Sequence, residues 1–114
     1  IRAATRDFPR FGLFVLANGD AGGKQIVPAD WFSVATVKQK DIGEPGHGYG
    51  FQWWTYDDGS FAAQGIFGQG IFIDPKRKLV IASNANWTRA TMGPEPEARE
   101  AFYHRVQGLI DAGR

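Results

Sequence analysis

The 114-residue chain contains no cysteine, carries almost no net charge and has no long hydrophobic run. Without cysteine there are no disulfides, no thiol nucleophile and no Cys-ligated zinc. Thirteen basic and twelve acidic residues give a formal net charge of +1, and Lys76-Arg77-Lys78 is too short to be a phosphate-binding stripe. No apolar run approaches the roughly 18 residues that predict a membrane span. The sequence therefore predicts no nucleic-acid or membrane binding, and it leaves the compartment open between cytoplasm and periplasm.

Hydrophobic residues make up 43% of the chain and aromatic residues 14%, a composition that predicts a packed core rather than disorder. Two helices are predicted first, over residues 5–16 and 28–37. Thr5 is the expected N-cap of the first helix, and Phe8, Phe11 and Val15 are its expected buried face. Residues 40–48 are rich in glycine and predict a loop.

The middle of the chain has the pattern of β-structure. The side chains of residues 49–56 alternate between two faces, which predicts one strand. Asp57-Asp58-Gly59 predicts a hairpin turn at its end. Further strands are predicted at 61–66, 70–74 and 79–82, the last with both faces buried. A helix follows over 97–112, with an expected buried stripe of Ala98, Phe102, Val106 and Leu109 or Ile110. The predicted fold class is α+β, an antiparallel sheet flanked by helices, with helices and loop in 1–48 and strands in 49–86.

Candidate nucleophiles are few. The three serines are Ser33, Ser60 and Ser83, and none lies in a Gly-x-Ser-x-Gly elbow. None is followed three residues later by a lysine, which one helical turn would bring beside the hydroxyl that it deprotonates. A structural role is the favoured interpretation for each serine.

Other chemistry-bearing residues are equally sparse. His47 and His104 are far apart in sequence and accompany no carboxylate motif, so no metal site is predicted. His47 lies in the glycine-rich loop, where a structural role is favoured and a place at the edge of a pocket is the alternative. Asp57 and Asp58 form the only adjacent acidic pair, which their turn position explains.

The stretch Gly65-Ile66-Phe67-Gly68-Gln69-Gly70 resembles a phosphate loop only superficially. It lacks the Lys-Ser/Thr ending of a P-loop, and a strand follows it where a dinucleotide site needs a helix. Glycines beside a strand indicate either a bulge that permits close packing or backbone amides that point into a cleft. Amides of the second kind form oxyanion holes. The residues alone leave both interpretations open.

Three stretches carry a family resemblance. Residues 48–54 (Gly-Tyr-Gly-Phe-Gln-Trp-Trp), residues 65–75 (through Ile-Asp-Pro) and residues 79–84 resemble strands of the serine β-lactamase and penicillin-binding-protein superfamily. Within this superfamily, the sequence Gly-Ile-Phe-Gly-Gln is most similar to the 6-aminohexanoate-dimer hydrolase branch. The resemblance covers nearly the whole chain.

The resemblance implies a fold with an antiparallel sheet, a helical domain and an active site between them. In that superfamily a Ser-x-x-Lys motif supplies the nucleophile and a tyrosine assists as general base. Both lie upstream in such proteins and neither is in this chain. The resemblance thus implies that residues 1–114 correspond to the C-terminal part of the fold. No metal or organic cofactor is implied.

The resemblance also assigns site residues. Relatives carry a Lys-Thr-Gly or His-Thr-Gly triplet on an inner strand, and alignment on Ile-Asp-Pro places it at Ala63-Gln64-Gly65. The next residue donates a backbone amide to the oxyanion hole, which makes Ile66 the expected donor, with Gln64, Gly65 and Phe67 shaping the substrate pocket. Residues 88–92 are expected to border the same cleft. Ala63 replaces a basic residue that helps hold carboxylate-bearing β-lactams, which argues for other amides or esters as substrates.

The function implied is a serine hydrolase that cleaves linear amides or esters through an acyl-enzyme. Its expected partners are the N-terminal part of the same enzyme and a small amide or ester substrate. The sequence leaves the oligomeric state open, with a homodimer as one option. The alternative is a non-catalytic binding or structural module on a degenerate version of the same fold.

Overall fold

The computed structural model describes residues 4–88 and 94–113, which form three helices and eight strands. Within this part of the chain, no helix has the length and apolar character needed to span a membrane. The elements, in chain order, are α1 (Asp7–Leu16), β1 (Asp20–Ala21), β2 (Lys24–Gln25), α2 (Trp31–Ala35), β3 (Lys40–Asp41), β4 (His47–Tyr49), β5 (Trp54–Tyr56), β6 (Phe61–Gln64), β7 (Gly70–Asp74), β8 (Leu79–Ser83) and α3 (Glu95–Ala112).

The main sheet has six antiparallel strands in chain order, from β3 to β8. Each connection is short, which permits only antiparallel pairing of sequential strands. β6 and β7 pair from Phe61 opposite Ile73 to Gln64 opposite Gly70. An antiparallel sheet with helices before and after it in the chain confirms the predicted α+β class.

Helices cover both faces of the sheet. On one face, α1 and α2 pack through Val15 and Phe32 against a cluster that includes Trp53, Phe61 and Ile71. On the other face, α3 packs through Tyr103 on Phe72 and Ala62. The alternation of side chains along β6 and β7 sends neighbouring residues to opposite layers.

The single strand predicted for residues 49–56 is wrong, because a tight turn divides it into β4 and β5. The Gly50 amide donates to the Trp53 carbonyl at 2.8 Å, and Gln52 adopts a positive φ of 69°. The turn brings the chain against the end of α2, where the Phe51 amide donates to the Ala35 carbonyl at 2.9 Å. A Cβ on Gly50 would lie 2.4 Å from that carbonyl oxygen, so this contact needs glycine.

The prediction of helices and loop alone in residues 1–48 is also wrong. β1 and β2 form a small separate hairpin, and β3 pairs with β4 where a loop was expected. Gly43 and Gly46 lie in the tight connection between β3 and β4, which is a usual role of glycine in hairpins, whereas Gly48 lies in β4 itself.

The helices are present, with different bounds. α1 begins at Asp7, and its cap position, Arg6, makes no side-chain capping bond. The expected N-cap Thr5 lies in the preceding turn, where the Ala4 amide donates to Asp7 Oδ2 at 2.9 Å. α2 is shorter than predicted, and α3 starts two residues earlier. Phe11 is 46% exposed, so only part of the predicted α1 face is buried.

The predicted buried stripe of α3 is half-buried at Val106 and Ile110, and it is wrong at its other positions. Phe102 is 55% and Leu109 60% exposed, whereas Tyr103 and Gln107 are buried. The Tyr103 ring stacks on Phe72 with centroids 4.3 Å apart. The sheet presents a buried carboxylate to α3 as well as apolar side chains, so the contacting face of the helix must contain a polar donor.

Strand β8 is not buried on both faces as predicted. All five of its residues are half-buried, because β8 is at one end of the sheet and pairs with β7 alone among the described strands. An apolar run therefore indicated a strand here but overestimated its burial.

A polar network fixes α3 to the sheet. The Asp74 side chain is fully buried and forms an ion pair with Arg77 at 2.8 Å. Gln107 of α3 donates to Asp74 Oδ2, also at 2.8 Å. Arg77 further donates through Nε and Nη2 to the two carboxylate oxygens of Asp111, at 2.9 and 2.7 Å. Satisfaction of the buried carboxylate thus depends on the position of α3.

Asp58 extends this network and gives stability a dependence on pH. Burial alone raises the pKa of Asp58, but hydrogen bonds from Ser60 and Gln107 and the charge of Arg77 together lower it below its ordinary value of 3.8. A carboxyl with a lowered pKa stabilises the fold above its unfolded pKa, and this contribution is lost as pH falls through the folded pKa. We expect Asp58→Asn to lower the urea midpoint at neutral pH and to flatten its decline below about pH 4.

The matched control for this prediction is Asp57→Asn in the same turn, which should keep the acid decline of the parent. Urea midpoints measured from neutral pH down to about pH 2 provide the comparison. An identical acid decline in the parent and in Asp58→Asn would show that this carboxyl does not contribute to it.

Candidate functional site

A cleft of about 700 Å³, here called the α1 cleft, lies between the first half of α1 and the end of the β6–β7 hairpin. Its floor is largely apolar, and backbone and amide groups of the hairpin form one wall. Its lining residues are Asp7, Phe8, Phe11, Ala63, Gln64, Gly65, Ile66, Gln69, Gly70 and Ile71.

The turn at residues 65–69 forms that wall. The Gly65 amide donates to the Gln69 carbonyl at 2.7 Å, which extends the β6–β7 ladder by one pair. The Phe67 amide donates to Gln69 Oε1 at 3.1 Å. Gln69 therefore holds the turn with its backbone and its side chain, and the two bonds lie on either side of Ile66.

Contacts from β8 and the segment after it hold the far side of the turn. Ser83 Oγ donates to the Gly68 carbonyl at 2.9 Å, and the Trp87 amide donates to the Phe67 carbonyl at 3.1 Å. Gly68 has a φ of +93°, and a Cβ there would lie 2.3 Å from the Trp87 ring nitrogen. Both the backbone conformation and the ring contact require glycine at this position.

The Ile66 amide is the distinctive group of the α1 cleft. It lies outside the ladder, and it donates no hydrogen bond to any acceptor among residues 4–88 and 94–113. The Ile66 side chain is 59% exposed at the rim of the cleft. A backbone donor without a partner in a rigid turn can bind a carbonyl oxygen or an oxyanion.

Three of the four predicted site residues, Gln64, Gly65 and Ile66, line the α1 cleft. Gln64 also lines the cleft on the α3 side of the sheet, and its side-chain amide donates there to the Tyr56 hydroxyl. Phe67 is not part of that lining; its amide donates to the Gln69 side chain, and its carbonyl accepts from the Trp87 amide. Of the predicted border loop 88–92, only Thr88 lies within the described residues. The roles assigned to the four residues remain predictions.

Sequence reasoning missed the opposite wall, which Asp7, Phe8 and Phe11 form. The helical spacing of the two phenylalanines indicated a core face, whereas Phe11 is nearly half exposed beside the cleft. Gln69 was within the recognised glycine-rich motif, but no signal in the sequence indicated that its side chain would organise the turn.

A second cleft of about 740 Å³, the α3 cleft, lies between α3 and the strands β4 and β5. Both histidines line it, together with Tyr56, Glu100 and Arg99. The His47 ring contacts Tyr56 at a centroid distance of 4.9 Å, and His104 Nδ1 lies 3.2 Å from Gln107 Oε1. In the described part of the chain, no three acidic or histidine side chains gather closely enough to hold a metal ion.

Although the α3 cleft is slightly larger, its central polar groups bond to one another. Tyr56 donates its hydroxyl to Glu100 at 2.8 Å and accepts from Gln64 Nε2 at 3.3 Å. Burial and then the Glu100 carboxylate raise the pKa of Tyr56 far above its ordinary value. Tyr56 thus stays protonated at neutral pH and cannot act as a base there. The α1 cleft is accordingly the better candidate for chemistry.

The hydroxyls of all three serines donate hydrogen bonds within the chain. Ser33 Oγ donates to the Asp30 carbonyl at 2.7 Å, and Ser60 Oγ donates to Asp58 at 2.5 Å. Ser83 Oγ is used by the turn bond described above. None lines the α1 cleft, in agreement with the structural roles favoured from sequence.

Comparison with known proteins gives the same family that the motifs indicated. No protein-family model matches the chain. The whole chain aligns at 27% identity with the 6-aminohexanoate-dimer hydrolase of Paenarthrobacter ureafaciens, and it spans 30% of that protein. An uncharacterized protein of Alkalihalophilus pseudofirmus is 33% identical over 68% of this chain, which is 27% of its own length.

A solved structure shows the same fold. A Bacillus anthracis protein assigned as a 6-aminohexanoate-dimer hydrolase superposes with a TM-score of 0.76 at 33% identity, over 96% of this chain and 30% of the other. The predicted resemblance to this branch and the predicted fold class are confirmed. The chain spans about 30% of the length of both these relatives.

Proposed function

We propose that this chain forms one wall of the active site of a serine hydrolase that cleaves linear amides or esters, as 6-aminohexanoate-dimer hydrolases cleave theirs. The single observation that carries the proposal is the Ile66 amide. It has no acceptor among the described residues, it lies at the rim of the α1 cleft, and hydrogen bonds on both sides of it hold the turn. The similarity to hydrolases of that name supports the same assignment.

In the proposed reaction, a serine hydroxyl attacks the substrate carbonyl carbon, and the carbonyl oxygen becomes an oxyanion that accepts a hydrogen bond from the Ile66 amide. As the serine Oγ–carbon bond forms, the hydroxyl proton passes to the assisting base of the same proposed segment. The carbon–nitrogen bond of an amide, or the carbon–oxygen bond of an ester, then breaks, and that base gives the proton to the leaving amine or alcohol. Water next attacks the acyl-enzyme, releases the acid and restores the serine. An amide donor fixed before reaction stabilises the developing charge without reorganisation.

The nucleophile in this proposal comes from a segment outside the present sequence. The hydroxyls of Ser33, Ser60 and Ser83 all donate elsewhere, and none lines the α1 cleft. The segment that carries Ser-x-x-Lys and the assisting tyrosine is the proposed partner of this chain, and it would correspond to the N-terminal part of the relatives.

The proposed substrate class follows from the lining. Ala63 is half-buried, lines the α1 cleft and belongs to the core on the α1 side of the sheet. A methyl group there provides no charge to hold the carboxylate of a β-lactam. Phe8, Phe11 and Ile71 offer apolar contact to a methylene chain. Linear amides and esters therefore fit better than β-lactams.

A chimera tests this proposal. The chain replaces the matching 30% of the Paenarthrobacter hydrolase, and the chimera is assayed beside the isolated 114 residues with p-nitrophenyl esters and 6-aminohexanoate dimer. We expect turnover by the chimera and none by the isolated chain, because only the chimera contains a nucleophile. A chimera with native-like circular dichroism but no turnover would contradict the function. Turnover by the isolated chain would contradict the placement of the nucleophile.

A further inference from the structure

Three successive backbone amides lie in the turn between β6 and β7, and Gln69 binds two of them. The Gly65 amide donates to the Gln69 carbonyl at 2.7 Å, and the Phe67 amide donates to Gln69 Oε1 at 3.1 Å. The Ile66 amide between them donates to no acceptor within the described ranges 4–88 and 94–113. One residue therefore determines which amide of the turn is left for a ligand in the α1 cleft.

The position of the Gln69 carboxamide explains the glycine at position 65. A Cβ on Gly65 would lie 2.7 Å from Gln69 Oε1 and 3.3 Å from Gln69 Cδ, so the carboxamide lies where a side chain of residue 65 would begin. The φ of Gly65 is not positive, and its backbone conformation alone does not require glycine. Glycine at this position instead leaves room for the carboxamide beside the turn.

The Ile66 N–H belongs to a peptide group that lies between two anchored ones. Bonds to Gln69 hold the amide of residue 65 before it and the amide of residue 67 after it. Loss of the bond to Phe67 would free the middle peptide group to rotate and would leave the Phe67 amide as a second unbonded donor. A misplacement of about 1 Å in a reacting geometry can cost about 10²-fold in rate. The direction of the Ile66 N–H thus depends on the Gln69 side chain.

We propose that Gln69 is a positioning residue, whose carboxamide directs the Ile66 N–H at the substrate carbonyl oxygen by holding the Phe67 amide. The Gln69 side chain lines the same cleft as Ile66. This inference rests on the proposed function for its catalytic meaning, whereas the hold on the turn can be measured on the chain itself. Gln69 acts through the backbone of residues 66 and 67 and takes no part in the covalent steps.

Amide hydrogen exchange of the 114-residue chain, followed by NMR, tests the hold on the turn. Gln69→Met has a similar length and no acceptor oxygen. We expect it to speed exchange of the Phe67 amide by about three- to ten-fold and to shift the Ile66 amide resonance. Gln69→Glu keeps an acceptor oxygen and should keep the Phe67 amide protected. Unchanged exchange of the Phe67 amide in Gln69→Met would overturn the proposal.

Gln25→Met is the matched control, because Gln25 also holds a turn through its side chain. Its Nε2 donates to the Asn18 and Val27 carbonyls at 2.7 and 2.6 Å, and it lines neither cleft. We expect this variant to leave exchange of the Phe67 amide as in the parent. Equal acceleration in the two methionine variants would show that a general loss of stability exposes that amide, and it would overturn the specific role of Gln69.

Kinetics of the chimera with a p-nitrophenyl ester test the catalytic role. Gln69→Met should lower kcat by about 10- to 100-fold with KM little changed, because the misdirected donor acts on the developing oxyanion rather than on substrate binding. Gln25→Met should keep the kcat of the parent. Gly65→Ala should lower kcat as well, and the double variant should lose no more than Gln69→Met alone, because both changes displace the same carboxamide.

The results separate this inference from the proposed function. A Gln69→Met chimera with the kcat of an active parent chimera would overturn the role of Gln69 and leave the hydrolase intact. Independent, additive losses for Gly65→Ala and Gln69→Met would also overturn it. A parent chimera without turnover would instead overturn the hydrolase, while exchange of the Phe67 amide would still decide whether Gln69 holds the turn.

Discussion

Ile66→Pro is expected to lower the kcat of the chimera by about 10²–10³-fold, the usual cost of losing one oxyanion-hole donor. Proline removes the backbone N–H and keeps the carbonyl. The φ of Ile66 is not positive, and its amide has no partner among the described residues, so the substitution breaks no described hydrogen bond. Steady-state kinetics with a p-nitrophenyl ester measure the effect.

Ile66→Ala is the matched control, because it removes the exposed side chain and keeps the N–H. We expect a much smaller loss of kcat for alanine than for proline. Circular dichroism of both variants should match that of the parent, since the turn retains the bonds of Gln69 and the contact with Trp87. Equal losses in the two variants would assign the effect to the side chain and refute the donor role.

Tyr103→Ala is expected to reduce the free energy of unfolding of the 114-residue chain by about 3–5 kcal/mol, the range for truncating a large buried aromatic. Tyr103 is 2% exposed and stacks on Phe72, which is itself fully buried. It is the main apolar contact of α3 with the sheet, so alanine leaves a cavity in the smaller of the two cores. Urea unfolding followed by circular dichroism measures the loss.

Tyr103→Phe should not reduce the free energy of unfolding. The Tyr103 hydroxyl is buried and has no hydrogen-bond partner among the described residues, while burial raises its pKa and keeps it protonated. Phenylalanine keeps the ring and removes a polar group that burial has desolvated without compensation, so stability should stay level or rise. A loss comparable to that of alanine would mean that the hydroxyl forms a stabilising bond.

The sequence predicts those elements of the fold that neighbouring residues determine, and it fails for those that depend on contacts with distant segments. The Asp57-Asp58-Gly59 hairpin was correct because its determinants are local, and Gly59 adopts a φ of +89°. The strand at 70–74 was likewise correct in both bounds. The strand predicted over residues 49–56 failed because its turn is stabilised by a contact with α2, which the alternation of nearby residues does not encode.

The face of α3 illustrates a different limit. A periodic apolar stripe predicted that Phe102 and either Leu109 or Ile110 would be buried, yet the residues of α3 that the sheet buries are Tyr103 and Gln107. Gln107 faces inward because Asp74 is buried opposite it and requires a donor. Periodicity gives the helix, but the polar groups of its partner surface decide which stripe packs.

At the candidate site, the glycine-rich turn and Ile66 could be predicted because a motif of adjacent residues carries them. Asp7, Phe8 and Phe11 could not, because they reach the turn only when α1 packs along the sheet, more than 50 residues away in sequence. The sequence by itself determined the α+β class, the turn and the absence of a serine–lysine nucleophile, all of which depend on local pattern and composition. Only the tertiary structure decided which helix forms the other wall of the cleft and gives it a negative charge, because contacts between distant segments depend on packing that no local pattern specifies.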